Sequence, residues 1–371
     1  MRKEISILEN VTIDQLQLKN RTVVAPMTRV STNGDGIPTE QMATYYRRYA
    51  EGGFGLIITE GTYTDRTFSQ AYPNQPGITN DKQLEGWRNI VSATHAVGGK
   101  IILQLMHGGA LSQHLSNTRG PSAIQPQRKM LEGYSAKQGV FPLPQAMNSA
   151  EIDELIADFT ASALRAEKAG FNGVEIHAAN GYLLDQFITD YTNVREDQYG
   201  GSIENRCRLS AEIITAIKSA VADDFIVGIR VSQGKVNDFD YTWPNGIDDG
   251  KIIFTSLKNA GANYIHFASE GKGFDHGCLT KNGESLPKLA RELTGLPVIA
   301  NGGLDNSNEA KRILKGNHAD LVALGTGALA NPDWPNRLKN HIPISPFNAD
   351  MFALGVTVEH QFKWEEKANR A

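Results

Sequence analysis

Short apolar segments alternate with amphipathic segments along most of this 371-residue chain, and no other feature restricts the possible folds as strongly. Each apolar segment resembles a buried strand, and each is followed by a segment with apolar residues at helical spacing. The predicted strands are residues 23–26, 56–58, 101–104, 174–177, 226–230, 264–267, 297–300 and 321–325. Apolar strands separated by helices indicate a parallel sheet covered by helices. Eight such units favour an α/β fold closed into a (β/α)8 TIM barrel over an open, doubly wound sheet.

The intervals between the strands contain helix boundary signals. Helices are expected to begin after Thr39, Asn80, Asn148 and Asn306, because each can accept a hydrogen bond from the backbone of the first turn. No domain boundary is evident, so residues 1–371 are expected to form one domain. Residues 106–147 lack periodicity and are predicted to be a lid or binding excursion after the third strand. The first residues and a C-terminal extension, residues 343–371, are expected to pack on the barrel floor or side.

Composition excludes several classes of protein. The formal net charge is -4 and 40% of the residues are hydrophobic, which does not indicate nucleic-acid binding. No run of 18 apolar residues is present and the first residues lack an apolar signal segment, so a cytoplasmic protein without membrane contact is expected. The two cysteines, Cys207 and Cys278, are too few for a disulfide framework, an iron–sulfur cluster or a structural zinc site, and no metal is predicted.

The fourth predicted strand ends in polar residues that can transfer protons. His177 follows the apolar residues 174–176, and Asn180 and Tyr182 come shortly after it. A dense mixture of charged, glycine and aromatic residues then extends to Arg206, which indicates a functional loop over the end of the strand. The alternative is that His177 is a satisfied histidine at a strand edge and that the charges only solvate a loop.

Other strand ends also carry polar or glycine residues, and active sites of such barrels form at the carboxyl ends of the strands. The candidates are Pro26, Met27 and Thr28 after strand one, Gly61 after strand two, Gln104 in strand three, Arg230 in strand five, Asn301, Gly302 and Gly303 after strand seven, and Gly325 and Thr326 after strand eight. Taken singly, Thr28 and Gln104 could be strand-end caps. Arg230 could belong to an internal salt bridge, since a buried guanidinium needs a partner.

Together these residues predict a particular ligand. The glycine-rich ends of strands seven and eight offer backbone N–H groups to a phosphate. Thr28, Gln104 and Arg230 could hydrogen-bond the edges of a flat heteroaromatic ring, which the trio from strand four would face. These features predict non-covalent flavin mononucleotide, FMN. No dinucleotide-binding glycine fingerprint follows the first strand, so a nicotinamide donor is expected to visit the same mouth.

The chain contains the segments HAANGYLLDQF and DQYGGSIENR, and characteristic segments surround Pro26, Glu60, Gln104, Arg230 and Asn331. Through these segments the chain resembles, over nearly its whole length, the Old Yellow Enzyme family of flavin-dependent ene-reductases. The resemblance implies that His177 and Asn180 bind the carbonyl or nitro oxygen of an activated alkene and that Tyr182 donates a proton. It further implies that Thr28 and Gln104 hydrogen-bond the flavin, that Arg230 stabilises the reduced ring, and that Gly61, Gly303 and Gly325 line the cofactor.

One position departs from the family pattern. Thr326 stands where the family usually has an arginine that binds the phosphate, so either the glycine-rich backbone alone or a cation from elsewhere, such as Lys272, is expected to hold it. The expected electron donor is NADH or NADPH, and a homo-oligomer is possible. Two alternative functions are a flavin barrel of the dihydropyrimidine-reducing type and a non-catalytic flavin-binding barrel.

Overall fold

A computed structural model of the protein describes residues 6–135 and 137–368. Residues 1–5 and 369–371, at the two ends of the predicted domain, and residue 136 in the predicted excursion lie outside the described residues. Within the described part of the chain, eight parallel strands close into a barrel, and helices lie between successive strands. The predicted (β/α)8 fold is therefore confirmed.

The barrel strands coincide with the eight predicted apolar segments. The strands of the described chain are β1 Val11–Ile13, β2 Leu16–Leu18, β3 Thr22–Val24, β4 Leu56–Ile58, β5 Thr62–Tyr63, β6 Ile101–Met106, β7 Arg119–Gly120, β8 Gln145–Ala146, β9 Gly173–Asn180, β10 Ile226–Lys235, β11 Tyr264–Ala268, β12 Val298–Asn301 and β13 Leu321–Leu324. The barrel order is β3, β4, β6, β9, β10, β11, β12 and β13, which returns to β3. In this register Arg230 of β10 lies opposite His177 of β9, so the two side chains emerge at the same level.

Helices cover the barrel and begin mostly where the capping signals predict. The helices of the described chain are α1 Glu40–Glu51, α2 Asp81–His95, α3 Ser149–Ala169, α4 Leu183–Ile188, α5 Ile203–Ala220, α6 Ile247–Asn259, α7 Phe274–Gly277, α8 Leu286–Thr294, α9 Ser307–Lys315, α10 Thr326–Ala330, α11 Trp334–Lys339 and α12 Val358–Ala368. Asn148 and Glu151 form a reciprocal capping box at the start of α3. At α2 only half of such a box forms. The Asn80 side chain accepts from the Gln83 backbone N–H, but the Gln83 carboxamide oxygen accepts from the Thr79 backbone N–H and not from that of Asn80.

The interior of the barrel is a separate apolar cluster, closed at the amino ends of the strands by the β1–β2 hairpin. Ile13 and Leu18 of the hairpin are buried against strand residues that include Leu56, Ile226 and Leu321. The hairpin therefore forms the floor of the barrel, as expected for the first part of the chain. The larger apolar cluster lies between the strands and the surrounding helices.

The C-terminal segment packs along the barrel side and also reaches its mouth. Helix α12 contacts α1, where Arg48 pairs with Glu365 at 3.1 Å. Phe352, which precedes α12, extends to the carboxyl ends of the strands and lines the cavity there. Packing on the side was expected from the sequence, whereas the contact with the mouth was not.

The excursion after β6 contributes directly to the mouth. It contains a one-turn 3-10 helix, Gly109–Leu111, and the short parallel pair β7–β8. Leu131 and Tyr134, from its irregular part, lie on the cavity wall at the carboxyl ends of the strands. A lid or binding role for the excursion stays a prediction.

Two general features of the described residues bear on function. None of their helices combines the length and apolarity that crossing a bilayer requires. Their histidine, cysteine and acidic side chains form no group of three placed to hold a metal ion.

Candidate active site

A cavity of about 220 Å³ opens at the carboxyl ends of the barrel strands. Eleven of the residues predicted from the sequence lie on its wall: Pro26, Met27, Thr28, Gly61, Gln104, His177, Asn180, Tyr182, Arg230, Gly325 and Thr326. The structure thus brings residues from six of the eight barrel strand ends to one site.

His177 lies in β9 and pairs with Arg230 of β10. Its side chain is buried, and its Nδ1 has no hydrogen-bond partner. Its ring packs edge-to-face with the Tyr182 ring, with the two ring centroids 5.0 Å apart. Burial lowers the pKa of His177 well below its ordinary value, and the charge of Arg230 adds to the shift. The imidazole is therefore neutral at pH 7 and can offer one N–H to a ligand in the cavity.

Asn180 ends β9 in a left-handed conformation, with φ of 64°, and Gly181 follows with φ of 88°. The backbone N–H of Asn180 donates to Ser232 Oγ at 2.8 Å, which ties this turn to β10. Its Nδ2 donates to Glu270 at 3.1 Å, while its Oδ1 is buried without a partner. The turn directs the carboxamide towards the cavity instead of along the strand.

Tyr182 follows the turn and is almost fully buried. Its hydroxyl lies 2.6 Å from the hydroxyl of Tyr72, so the two phenols share a hydrogen bond. Burial raises the pKa of Tyr182 above its ordinary value, although the hydrogen bond with Tyr72 opposes the shift. The phenol is therefore protonated at neutral pH and can act as a proton donor.

Arg230 of β10 is 2% exposed, and its guanidinium faces the cavity. Its Nη2 lies 3.1 Å from a carboxylate oxygen of Glu270 and 3.4 Å from Asn301 Oδ1, whereas its Nε has no partner. The internal salt bridge considered from the sequence is thus present, and yet one N–H of the guanidinium is left without an acceptor. An unpaired N–H on a buried cation is costly, so it indicates a site for an electron-rich ligand atom.

The end of β3 is fixed by a buried carboxylate. Glu60 accepts hydrogen bonds from the backbone N–H groups of Arg29 and Val30, at 2.9 and 2.8 Å, and thereby shapes the loop that follows Thr28. The Arg29 guanidinium lies between the rings of Tyr45 and Phe352, 5.2 and 5.4 Å from their centroids. Arg29 also donates to Thr357 and Gln361, at 3.1 and 2.7 Å, so this loop holds the C-terminal segment at the mouth.

The glycine-rich end of β12 lies away from the cavity wall. Asn301 lies behind Arg230 and donates to the Ala323 carbonyl, and neither it nor Gly302 and Gly303 line the cavity. At Gly302, with φ of 126°, a Cβ atom would approach the Phe274 backbone nitrogen to 2.7 Å, so the glycine permits close packing of the loop after β11. A role for these three residues in phosphate binding stays a prediction.

The chain matches the model of the NADH:flavin oxidoreductase / NADH oxidase family over residues 6–345. It is 36% identical over 352 residues to the putative 12-oxophytodienoate reductase 2 of Oryza sativa subsp. japonica, covering 95% of this chain and 91% of the relative. The chain belongs to the Old Yellow Enzyme family. It is an oxidoreductase.

Two solved structures of this family are similar throughout. Morphinone reductase in complex with tetrahydroNAD has a TM-score of 0.82 and 32% identity, with 93% of each chain covered. The old yellow enzyme homologue from Zymomonas mobilis also has a TM-score of 0.82, with 29% identity over 94% of this chain and 96% of the neighbour. The Old Yellow Enzyme fold is therefore shared over more than nine-tenths of the chain.

The residues of this Old Yellow Enzyme family member fit a bound flavin. Three of the predicted site residues on the wall each have one buried polar atom that no protein group satisfies: Arg230 Nε, His177 Nδ1 and Asn180 Oδ1. Buried polar atoms without partners are rare in folded proteins, and three on one wall indicate a polar ligand. The Gln104 carboxamide and the Thr28 end of β3 complete the wall with further hydrogen-bonding groups.

Sequence reasoning missed four aromatic or acidic residues on the wall, together with apolar residues such as Leu131. Tyr72, Tyr134 and Phe352 come from irregular segments in which no periodicity or motif marks them. Glu270 was detectable, because it follows β11 and the rule applied to the other strand ends applies there too. It is the carboxylate on the wall of the cavity in the described structure, and it contacts both Arg230 and Asn180.

Proposed function

We propose that this protein reduces activated carbon–carbon double bonds in α,β-unsaturated carbonyl or nitro compounds, with non-covalent FMN as cofactor and NADH or NADPH as electron donor. The proposal is carried by His177, Asn180 and Tyr182, which bring to one cavity an imidazole whose Nδ1 has no partner, a carboxamide with N–H groups and a protonated phenol. Relatives whose names specify 12-oxophytodienoate and morphinone as substrates support the same class of reaction.

In this proposal the substrate oxygen binds between His177 and Asn180. Bound FMN supplies the hydride that it has received from the nicotinamide. His177 donates the N–H of its neutral imidazole and Asn180 its amide N–H to the carbonyl or nitro oxygen as negative charge develops there. Hydrogen bonds placed where charge appears contribute strongly to catalysis, because the groups need no reorganisation during the reaction.

Tyr182 completes the reduction in this proposal by giving its hydroxyl proton to the carbon opposite the flavin. Its raised pKa keeps the proton in place until a strongly basic carbon centre develops. Tyr72, at 2.6 Å, can donate its own hydroxyl hydrogen to the tyrosinate that forms. Because the proton and the hydride arrive from opposite sides of the double bond, trans addition is expected.

The remaining wall residues are assigned to FMN. Thr28 donates to the flavin carbonyl near the reactive nitrogen, Gln104 binds the pyrimidine edge, and the free N–H of Arg230 faces the ring. The other residues assigned to the cofactor are Pro26, Met27, Gly61, Asn301, Gly302, Gly303, Gly325 and Thr326. The last five lie at the ends of β12 and β13, where the phosphate is expected.

The test is a half-reaction experiment under anaerobic conditions. The purified protein is titrated with NADH or, separately, with NADPH while the flavin absorbance is recorded, and 2-cyclohexenone is then added. We expect bleaching by at least one donor and recovery of the absorbance with formation of cyclohexanone. Bleaching without recovery would support a non-catalytic flavin barrel or a different acceptor, and a protein that cannot be loaded with FMN would refute the proposal.

A further inference from the structure

A buried cluster of four polar residues lies inside the barrel directly beneath the cavity. Glu175 is 0% exposed, and its Oε1 accepts from Gln104 Nε2 at 2.8 Å. Its Oε2 accepts from the Tyr264 hydroxyl at 3.0 Å and lies 2.9 Å from His266 Nδ1. Gln104 reaches the cavity wall, whereas the other three residues do not. No role in binding or catalysis has so far been assigned to Glu175, Tyr264 or His266.

The carboxylate of this cluster is charged. Burial raises the pKa of Glu175, but its neighbours His266, Arg230 and Gln104 together hold it below its ordinary value. Burial lowers the pKa of His266, although Glu175 opposes that shift. A neutral imidazole that donates Nδ1–H to a carboxylate accounts for the geometry, and its Nε2 is then the buried atom left without a partner.

A charged carboxylate accepts hydrogen bonds and donates none. It therefore selects one of the two orientations of the Gln104 carboxamide, since the NH2 group has to face Glu175. The carbonyl oxygen of Gln104 is then free to meet a hydrogen-bond donor in the cavity. The imide N–H on the pyrimidine edge of a flavin is such a donor.

We propose that Glu175 is a positioning residue that fixes the Gln104 carboxamide to accept a hydrogen bond from the flavin N3–H. The inference rests on the FMN site proposed above. Glu175 also places a negative charge inside the barrel near Arg230, which opposes the accumulation of negative charge on the reduced ring. Glu175 thus acts through Gln104 on affinity and through its charge on the reduction potential, without touching the substrate.

Replacing Glu175 by glutamine removes the charge of the side chain and keeps its shape. In Glu175→Gln, the two donors Tyr264 and His266 favour the carbonyl oxygen on their side, which places the new NH2 group opposite Gln104. Gln104 then has to turn its carbonyl oxygen towards position 175 and its NH2 group towards the cavity. Two donors, the amide and the flavin N3–H, would face each other, and such a mismatch leaves both unsatisfied.

The experiment compares FMN with FMN methylated at N3, which has no hydrogen to donate. Dissociation constants are measured by quenching of flavin fluorescence on addition of apoprotein. The wild-type protein is expected to bind FMN about tenfold or more tightly than the methylated flavin, as loss of a hydrogen bond to a buried acceptor implies. In Glu175→Gln this preference is expected to fall to about twofold or less, with weaker FMN binding overall. Tyr264→Phe is the matched control, because it removes one donor from Glu175 while leaving the charge and the bond to Gln104; it should retain the preference.

A second readout tests the charge. The midpoint potential of bound FMN is expected to become more positive in Glu175→Gln than in Tyr264→Phe, and each tenfold gain in relative affinity for the reduced form corresponds to about 30 mV for two electrons. Equal binding of the two flavins by the wild-type protein would overturn the positioning role, as would an unchanged preference in Glu175→Gln. Failure of the wild-type protein to bind either flavin would instead refute the FMN site itself.

Discussion

Single atoms that the fold leaves without partners define the chemistry of the mouth. His177, Asn180 and Arg230 are each held in place by the backbone or by a neighbour, and each still has one buried polar atom unsatisfied. Folding around such atoms is unfavourable unless a ligand completes them. The stability of the protein is therefore expected to depend on its cofactor, since a ligand bound only to the native state stabilises that state.

Tyr182→Phe removes the proposed proton donor while preserving the ring. Flavin reduction by the nicotinamide should be nearly unchanged, because the phenol has no task in that step. Reoxidation by 2-cyclohexenone should slow by at least about 100-fold, the lower range for loss of a general acid. Stopped-flow measurement of both half-reactions checks this. Tyr199→Phe, at a phenol bonded to Glu212 and outside the cavity wall, serves as control and should change neither; equal slowing of both half-reactions in Tyr182→Phe would indicate a structural role instead.

Glu270→Gln should tighten FMN binding. In the described structure the carboxylate is paired with the Arg230 guanidinium, so the cofactor competes with it for that cation. Neutralising a partly exposed partner of this kind is expected to increase FMN affinity roughly two- to fivefold. Fluorescence titration of the apoprotein measures the effect. Asp275→Asn removes a neighbouring charge that pairs with Arg312 away from the cavity, and it should leave the affinity unchanged. Weaker binding in Glu270→Gln would show that the carboxylate supports the site.

At the scale of helices and strands, the ends of β12 and β13 bear on which groups would bind the phosphate of FMN. Gly325 and Thr326 lie on the cavity wall, at the start of α10. Lys272, the alternative cation, is 44% exposed and lies 2.5 Å from Asp240, and it does not contribute to the wall. This arrangement favours a phosphate held mainly by backbone N–H groups.

Thr326→Arg is therefore expected to tighten FMN binding by roughly tenfold or more, since a guanidinium adds charge-assisted hydrogen bonds to a phosphate. Thr326→Val is the matched control and tests whether the hydroxyl contributes on its own. Riboflavin, which lacks the phosphate, should gain nothing from the arginine. Dissociation constants from fluorescence titration decide the matter, and unchanged or weaker FMN binding would rule out a phosphate held by the backbone alone.

The elements predictable from the sequence are those whose signals are local. Helix caps such as Thr39 and Asn148 identify the eight units, together with the regular spacing of apolar residues between the caps. Both signals depend only on residues a few positions apart in the sequence. Strand β9 continues three residues beyond its predicted end at His177, because pairing with β10 maintains strand geometry as far as Asn180. The excursion residue Tyr134 and the C-terminal Phe352 reach the mouth only through tertiary packing, so no local pattern marks them.

The whole molecule is expected to lose stability as pH rises through the titration of Glu60. Burial raises the pKa of Glu60 from 4.5 to about 7, although the backbone N–H groups of Arg29 and Val30 oppose the shift. Between these values the folded protein binds a proton that the unfolded chain has lost. The stabilisation is complete below about pH 4.5 and disappears as pH approaches 7, a difference of about 3 kcal/mol.

Glu60→Gln should remove this dependence, because glutamine can still accept from both backbone N–H groups and does not titrate. Urea unfolding at pH 5 and at pH 8 measures the change for both proteins. The difference between wild type and variant isolates Glu60 from other titrating groups, such as Asp158 with a pKa raised by burial to about 6. A difference that is the same at both pH values would mean that Glu60 is ionised throughout this range.

The Arg29 contacts join the beginning of the chain to its end. Arg29 follows the first barrel strand, yet its guanidinium contacts Phe352, Thr357 and Gln361, which come after the last barrel strand. During synthesis, all eight strands are therefore complete before the residues that finish the mouth have left the ribosome. A nascent chain lacking this segment would have a barrel whose cavity is open beside Thr28. Firm retention of the cofactor is thus expected to be among the last events in the biogenesis of this protein.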